Sequence, residues 1–156
     1  MDIRGKLITW VRSFLIGRRQ KVSIAGVSSL LTHVLSAISQ SSVLGPLLFS
    51  ILISDMPEVF NSLPVIRMYA DDTKLFRTVN READSTVLQK DLIAMQEWSN
   101  KWQLKFNADK CQILHIGSKN LKQKYYLIQS GKPVELHETK LENELDIHID
   151  PELNFS

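Results

Sequence analysis

The sequence predicts an α+β fold, with an antiparallel sheet and helices packed on one face. Three observations carry this. Residues 84–102 place Leu88, Leu92, Met95, Trp98 and Trp102 at three- and four-residue steps, the stripe of an amphipathic helix. Residues 65–79 hold two short apolar runs on either side of Asp71-Asp72, a hairpin pattern. Residues 111–149 hold further short runs, with Gly131-Lys132 suited to a hairpin turn between two of them.

Taken in order, residues 5–16 form a helix, with Leu7, Trp10, Val11, Phe14 and Leu15 on one stripe and Gly17 ending it. Residues 20–25 alternate Val22 and Ile24 with polar residues and read as a strand. Residues 26–29 are then a turn, and residues 30–38 a second strand antiparallel to the first. Residues 39–42 make a polar loop whose serines can cap the next helix. That helix has Pro46 in its first turn and reaches about Met56. Pro57 and Pro64 bracket a loop before the hairpin. Asp84 or Ser85 is the expected N-cap of the long helix. Strands follow at 111–116, 125–129, 133–136 and 144–149. No internal repeat, low-complexity tract or linker interrupts residues 1–156, so one domain is expected.

Hydrophobic residues make up 44% and charged residues 23%, which excludes a disordered chain. The net charge of +2 is too small to announce a nucleic-acid binder. Its distribution says more. Residues 1–21 carry six Lys or Arg against one Asp; residues 135–152 carry seven acids against one Lys. A basic face that follows a phosphate backbone and an ordinary solvated surface both fit this asymmetry. Arg18 and Arg19 are the candidates for template phosphate.

Cys111 is the single cysteine, so no internal disulfide forms, which suits a reducing compartment. It lies in an apolar run and reads as a structural thiol rather than a nucleophile. The four histidines share no metal-ligand spacing. No signal peptide or transmembrane segment is visible. The apolar stretch 43–53 is about half the length that spans a bilayer. An intracellular protein of nucleus or cytoplasm, with no membrane partner, is the expectation; the sequence leaves the oligomeric state open.

Asp71-Asp72 carries the most chemical information. Asp favours turns anyway, so a solvated turn is one reading. Adjacent anions repel, however, and a divalent cation would hold them together, since Mg²⁺ takes one or two carboxylates from a protein.

The neighbouring residues bear on this choice. Residues 39–57 run Ser39-Gln40-Ser41-Ser42 and then Leu44-Gly45-Pro46-Leu47 to Asp55-Met56-Pro57. Residues 68–76 contain Tyr69-Ala70-Asp71-Asp72. Residues 98–111 contain Trp98, Trp102, Leu104, Phe106, Asn107, Lys110 and Cys111. In order and spacing these resemble the palm of reverse transcriptases encoded by non-LTR (LINE-type) retrotransposons: motif B at about 37–57, motif C at 68–76 and motif D at about 98–117. The segment Trp10 to Val22 is similar to the stretch between motifs A and B, and residues 145–156 to the segment that closes the palm.

The resemblance implies a partial polymerase palm and an RNA-directed DNA polymerase, a nucleotidyltransferase acting on an RNA template, a DNA primer and deoxynucleotides. Such chemistry uses two metal ions about 3.5–4 Å apart, implying Mg²⁺ as cofactor. Asp71 and Asp72 would be the metal-binding catalytic residues. Tyr69 would lie beside the primer end and Gln40 near the template or nucleotide. Lys110 would neutralise phosphate charge or donate a proton to pyrophosphate. Asn107 and Phe106 would set the turn that places Lys110, and Asp55 would be structural. Ordinary packing, solvent and surface roles compete with each assignment.

The family's motif A aspartate, fingers and thumb lie outside this sequence. Ser39 and Ser41 stand where the family has proline and glycine, and Asp146 where it commonly has glycine. A truncated chain, inactive alone, is therefore expected. The alternative is a non-catalytic retrotransposon remnant that at most binds nucleic acid or protein. A hydrolytic metal-dependent phosphotransferase is disfavoured, because Asp55 and Asp109 form no second motif with the pair.

Overall fold

The computed structural model describes residues 4–34, 42–61, 64–144 and 147–152. The chain divides into two compact units, residues 1–47 and 48–156.

In the first unit, α1 (Lys6–Leu15) matches the predicted helix. It ends as expected: the Ile16 N–H returns to the Arg12 carbonyl at 2.9 Å, and Gly17 follows at φ +72°. Trp10 and Phe14, one turn apart, stack with ring centroids 6.5 Å apart. The predicted strand 20–25 divides. β1 (Arg19–Gln20) pairs antiparallel with β4 (Thr32–His33). β2 (Ser23–Ile24) pairs with β3 (Val27–Ser28), so the turn is Ala25-Gly26 rather than residues 26–29. Both turn residues have positive φ, and glycine at the second position fits this geometry. The two ladders belong to one ribbon, with Val22 and Ser29 exchanging bonds of 2.8 and 3.0 Å between them. Predicted strand residues 35–38 lie outside the described residues.

α2 (Leu44–Ile53) leads into the second unit. The Ser42 hydroxyl accepts the Gly45 N–H at 3.0 Å, the expected serine cap. The helix stops before Met56, and Met56–Val59 forms a short 3₁₀ helix. Pro57 has no N–H to give the Ile53 carbonyl, and in a continued α-helix its ring would crowd that oxygen, which explains the early stop. Next come β5 (Val65–Tyr69) and β6 (Asp72–Phe76), paired from Val65↔Phe76 to Tyr69↔Asp72.

α3 (Glu82–Trp102) is the longest element. Leu92, Met95 and Trp98 are buried as the periodicity predicts. They form a core with Ile53, Met56, Phe60, Ala108, Tyr125, Leu127 and Leu136. Trp102 departs from the expected stripe: it is exposed, with the Lys101 ammonium 5.3 Å from its ring centroid. The N-cap is Arg81, not Asp84 or Ser85. Asp84 still serves the helix start from inside the first turn, where its carboxylate accepts the N–H groups of Asn80 and Arg81 at 3.0 and 2.9 Å.

The remaining strands are β7 (Gln112–Leu114), β8 (Tyr126–Gln129), β9 (Lys132–Glu135), β10 (His137–Thr139), β11 (Glu142–Glu144) and β12 (Ile147–Ile149). The α+β class and antiparallel pairing hold. Among the described residues, however, the strands form six two-stranded ladders rather than one sheet, and β7–β10 is parallel. One reason is visible at β8. Its edge opposite β9 meets helix side chains instead of a strand. Gln89 accepts from the Tyr126 N–H and donates to the Tyr126 carbonyl, both at 2.9 Å. Gln96 does the same for Ile128, accepting at 2.8 Å and donating to its carbonyl.

Arg77, just past β6, binds Asp91 of α3 through Nη2 at 2.8 Å and Nε at 3.1 Å. Asp91 is only 5% exposed in its side chain. Removing one partner leaves the other charge desolvated and without that bond. Asp91→Ala is therefore expected to cost about 3 kcal/mol, read as a lowered urea midpoint with an unchanged slope. A second expectation concerns acid. The backbone bond from Asn80, then that from Arg81, lowers the Asp84 pKa. Its contribution is present above the unfolded carboxylate's pKa and is lost as pH falls through the lower folded value. Asp84→Asn should flatten this part of the acid-unfolding curve, measured by helical circular dichroism.

Candidate active site at the β5–β6 turn

The hairpin is two-faced. Ile66 and Met68 on β5, with Leu75 on β6, pack against the core. Alternation then sends Val65, Arg67 and Tyr69 to the other face, opposite Phe76, Lys74 and Asp72 respectively. Tyr69 and Asp72 are therefore a cross-strand pair at the last rung, and Ala70-Asp71 is the two-residue turn beyond it. Sequence and structure agree that Asp71 and Asp72 share the hairpin tip. Both acids are exposed, and Tyr69 is 62% exposed.

Ala70 has φ +51°, whereas Asp71 is not in the left-handed region. Positive φ at the first turn position alone is the signature of a type II′ hairpin, where glycine is usual. The β8–β9 turn, Ser130-Gly131, has positive φ at both positions, as at Ala25-Gly26. The acidic turn thus differs in backbone sign from these two, and it holds that geometry with an alanine.

Lys110 lies on a separate element, the 3₁₀ turn Ala108–Lys110. Its side chain is exposed and makes no hydrogen bond or ion pair with Asp71 or Asp72. The turn is built as predicted: the Asn107 side chain accepts the Asp109 N–H at 3.2 Å, and Phe106 packs against the core. Cys111 follows, half-buried, and burial pushes its thiol pKa up, consistent with a structural thiol. Asp55 is structural, as expected; its carboxylate accepts the Trp98 indole N–H at 2.7 Å. A groove of about 420 Å³ beside Asp55 and Glu97 includes neither turn aspartate. Gln40 and Asp146 lie outside the described residues.

Periodicity did not reveal the charged rung behind the acids. Arg67 and Lys74 face each other across the strands, and Lys74 Nζ lies 3.3 Å from Glu142 of β11. Alternation could have placed both cations on the aspartates' face once the hairpin register was known.

Two adjacent exposed carboxylates supply hard oxygen donors of the kind Mg²⁺ uses, with water and substrate phosphate completing its shell. Among the described residues, no three His, Cys, Asp or Glu side chains gather to hold an ion.

This geometry can be set beside known proteins. Residues 2–141 match the family model described as reverse transcriptase (RNA-dependent DNA polymerase), and the chain belongs to that family. It is 39% identical over 108 residues to the RNA-directed DNA polymerase from mobile element jockey of Drosophila melanogaster, covering 65% of this chain and 12% of that protein. The jockey polymerase of Drosophila funebris is 34% identical over 113 residues, covering 68% and 12%. The probable RNA-directed DNA polymerase from transposon X-element of Drosophila melanogaster is 31% identical over 104 residues, covering 64% and 12%. The chain thus spans about 12% of the length of these curated relatives. No solved structure matches it. The resemblance to non-LTR elements holds. The family in general uses a divalent metal, a nucleic-acid template and nucleotides. No helix among the described residues is long and apolar enough to cross a membrane.

The backbone sign at Ala70 gives a test. Ala70→Gly should be close to neutral, because relief of the positive φ offsets glycine's entropy. Ala70→Val should cost about 1–3 kcal/mol, since a branched side chain resists positive φ. Thermal unfolding of the two variants measures this directly.

Proposed function

We propose that this chain forms part of the palm of a non-LTR retrotransposon RNA-directed DNA polymerase, with the palm motifs distributed over residues 1–156. The observation that carries this is the Tyr69↔Asp72 rung with Asp71 in the adjoining turn, two exposed acids at one hairpin tip within the family match.

In this reading Asp71 and Asp72 hold Mg²⁺ through their carboxylates. When bound, the ion neutralises phosphate charge and lowers the pKa of the primer 3′-hydroxyl. The 3′-hydroxyl gives up its proton to solvent, its oxygen bonds to the α-phosphorus of a deoxynucleotide, and the bond to pyrophosphate breaks. Tyr69 lies against the primer end, Gln40 near the template or incoming nucleotide. Lys110 neutralises the leaving pyrophosphate or gives it a proton. The substrates are an RNA template, a DNA primer and deoxynucleotides. A non-catalytic remnant is the second reading, favoured by Ser39 and Ser41, where the family carries proline and glycine.

Primer extension on an RNA template with Mg²⁺ separates the two. Extension that falls by about 100-fold or more in the Asp71→Ala, Asp72→Ala protein supports the polymerase reading. Binding of primer–template without extension by either protein supports the remnant.

A further inference from the structure

The solvent face of the β5–β6 hairpin reads, from the turn outward, as an acidic rung, a cationic rung and an apolar rung: Tyr69↔Asp72, Arg67↔Lys74 and Val65↔Phe76. The middle rung needs explaining. Like charges directly opposite each other across an antiparallel pair are destabilising. Glu142 of β11 stands 3.3 Å from the Lys74 ammonium and offsets that charge. Arg67 is exposed, and among the described residues its Nη1 donates only to the carbonyl of its own neighbour, Ile66, at 3.0 Å. Among the described residues no carboxylate pairs with it. Its other donors have no partner among the described residues, and a guanidinium suits the paired oxygens of a phosphate.

We propose that Arg67 binds a phosphate of the primer strand just behind its 3′ end. This rests on the polymerase reading of the same hairpin. If the 3′-hydroxyl meets the acids at the tip, a strand leading back along the hairpin crosses the Arg67 rung next. The charges complement each other: acid with metal and hydroxyl at the tip, cation with phosphate behind it. Beyond Arg67, Val65 and Phe76 are 50% and 43% exposed. They offer an apolar ledge against which sugar and base edges can pack. The occupant is thus the sugar–phosphate backbone of the strand being extended.

The test uses fluorescence anisotropy with a DNA primer recessed on an RNA template, titrated at several salt concentrations. Arg67→Gln should weaken binding by about 3–10-fold and reduce the salt slope by about one phosphate contact. Arg67→Lys should keep the slope. Lys132→Gln, at an exposed position beside the β8–β9 turn, serves as a surface-charge control and should change neither as much. Neutral methylphosphonate linkages placed singly along either strand locate the contact. One at the last primer linkages should abolish the difference between wild type and Arg67→Gln. A difference that instead disappears only with a neutral template linkage, or that survives every placement, overturns the proposal. Unchanged affinity and slope in Arg67→Gln overturns it as well, while leaving the polymerase reading intact. A wild-type chain that binds no primer–template overturns both.

Discussion

The side-chain amides of Gln89 and Gln96 hold β8 by its backbone, and much of the second unit follows from that attachment. A strand edge turned toward a helix must find partners for its N–H and C=O groups, because an apolar helix surface offers none. A glutamine amide carries both a donor and an acceptor, so one side chain serves both groups of a strand residue. Leu127, between the two bonded residues, is 2% exposed within the core. β9 then pairs along the opposite edge of β8. Past β9, the Leu136 N–H reaches the Tyr125 carbonyl at 2.8 Å, and the chain continues into β10 beside β7. α3 thereby organises strands far along the chain as well as its immediate neighbours.

The same helix meets elements that precede it. Arg77 binds α3 through Asp91, and the segment after α2 binds it through Asp55 and Trp98. Ile66, Met68 and Leu75 pack the hairpin's inner face against the core. One face of the hairpin is thus committed to burial, and the period of two leaves Tyr69 and Asp72 on the other. A shift of register by one residue would bury those polar groups and expose Ile66 and Met68. The presentation of the candidate site is therefore tied to hydrophobic burial on its reverse side.

These relationships were unequally legible in the sequence. The long helix could be placed because its apolar residues keep a period from Leu88 to Trp98, and the hairpin because two short apolar runs flank a turn-forming Asp71-Asp72. The Asn107 turn was legible because its side chain bonds a backbone group two residues away. What was missed depends on distant partners. Nothing local in Gln89 announces a bond to Tyr126, 37 residues on, and without that bond the strands appear to need one continuous sheet. Asp84 was recognised as a helix-start residue but placed at the cap, because composition cannot tell an acid that begins a helix from one that reaches back from its first turn. The acids and Tyr69 were recognised as motif residues, whereas the Arg67↔Lys74 rung appeared only with the strand register.

The Ala70 torsion has a consequence of a different kind. A site whose groups are positioned by ion pairs loosens when salt screens them, and one positioned by carboxylate hydrogen bonds loosens when acid protonates them. The direction in which the chain reverses between Tyr69 and Asp72 is instead set by the sign of one backbone angle and the ladder beneath it. That angle carries no charge and binds no proton. The sense of that reversal thus rests on a quantity that neither salt nor acid acts on, even though the Arg67↔Lys74 rung beneath it is charged.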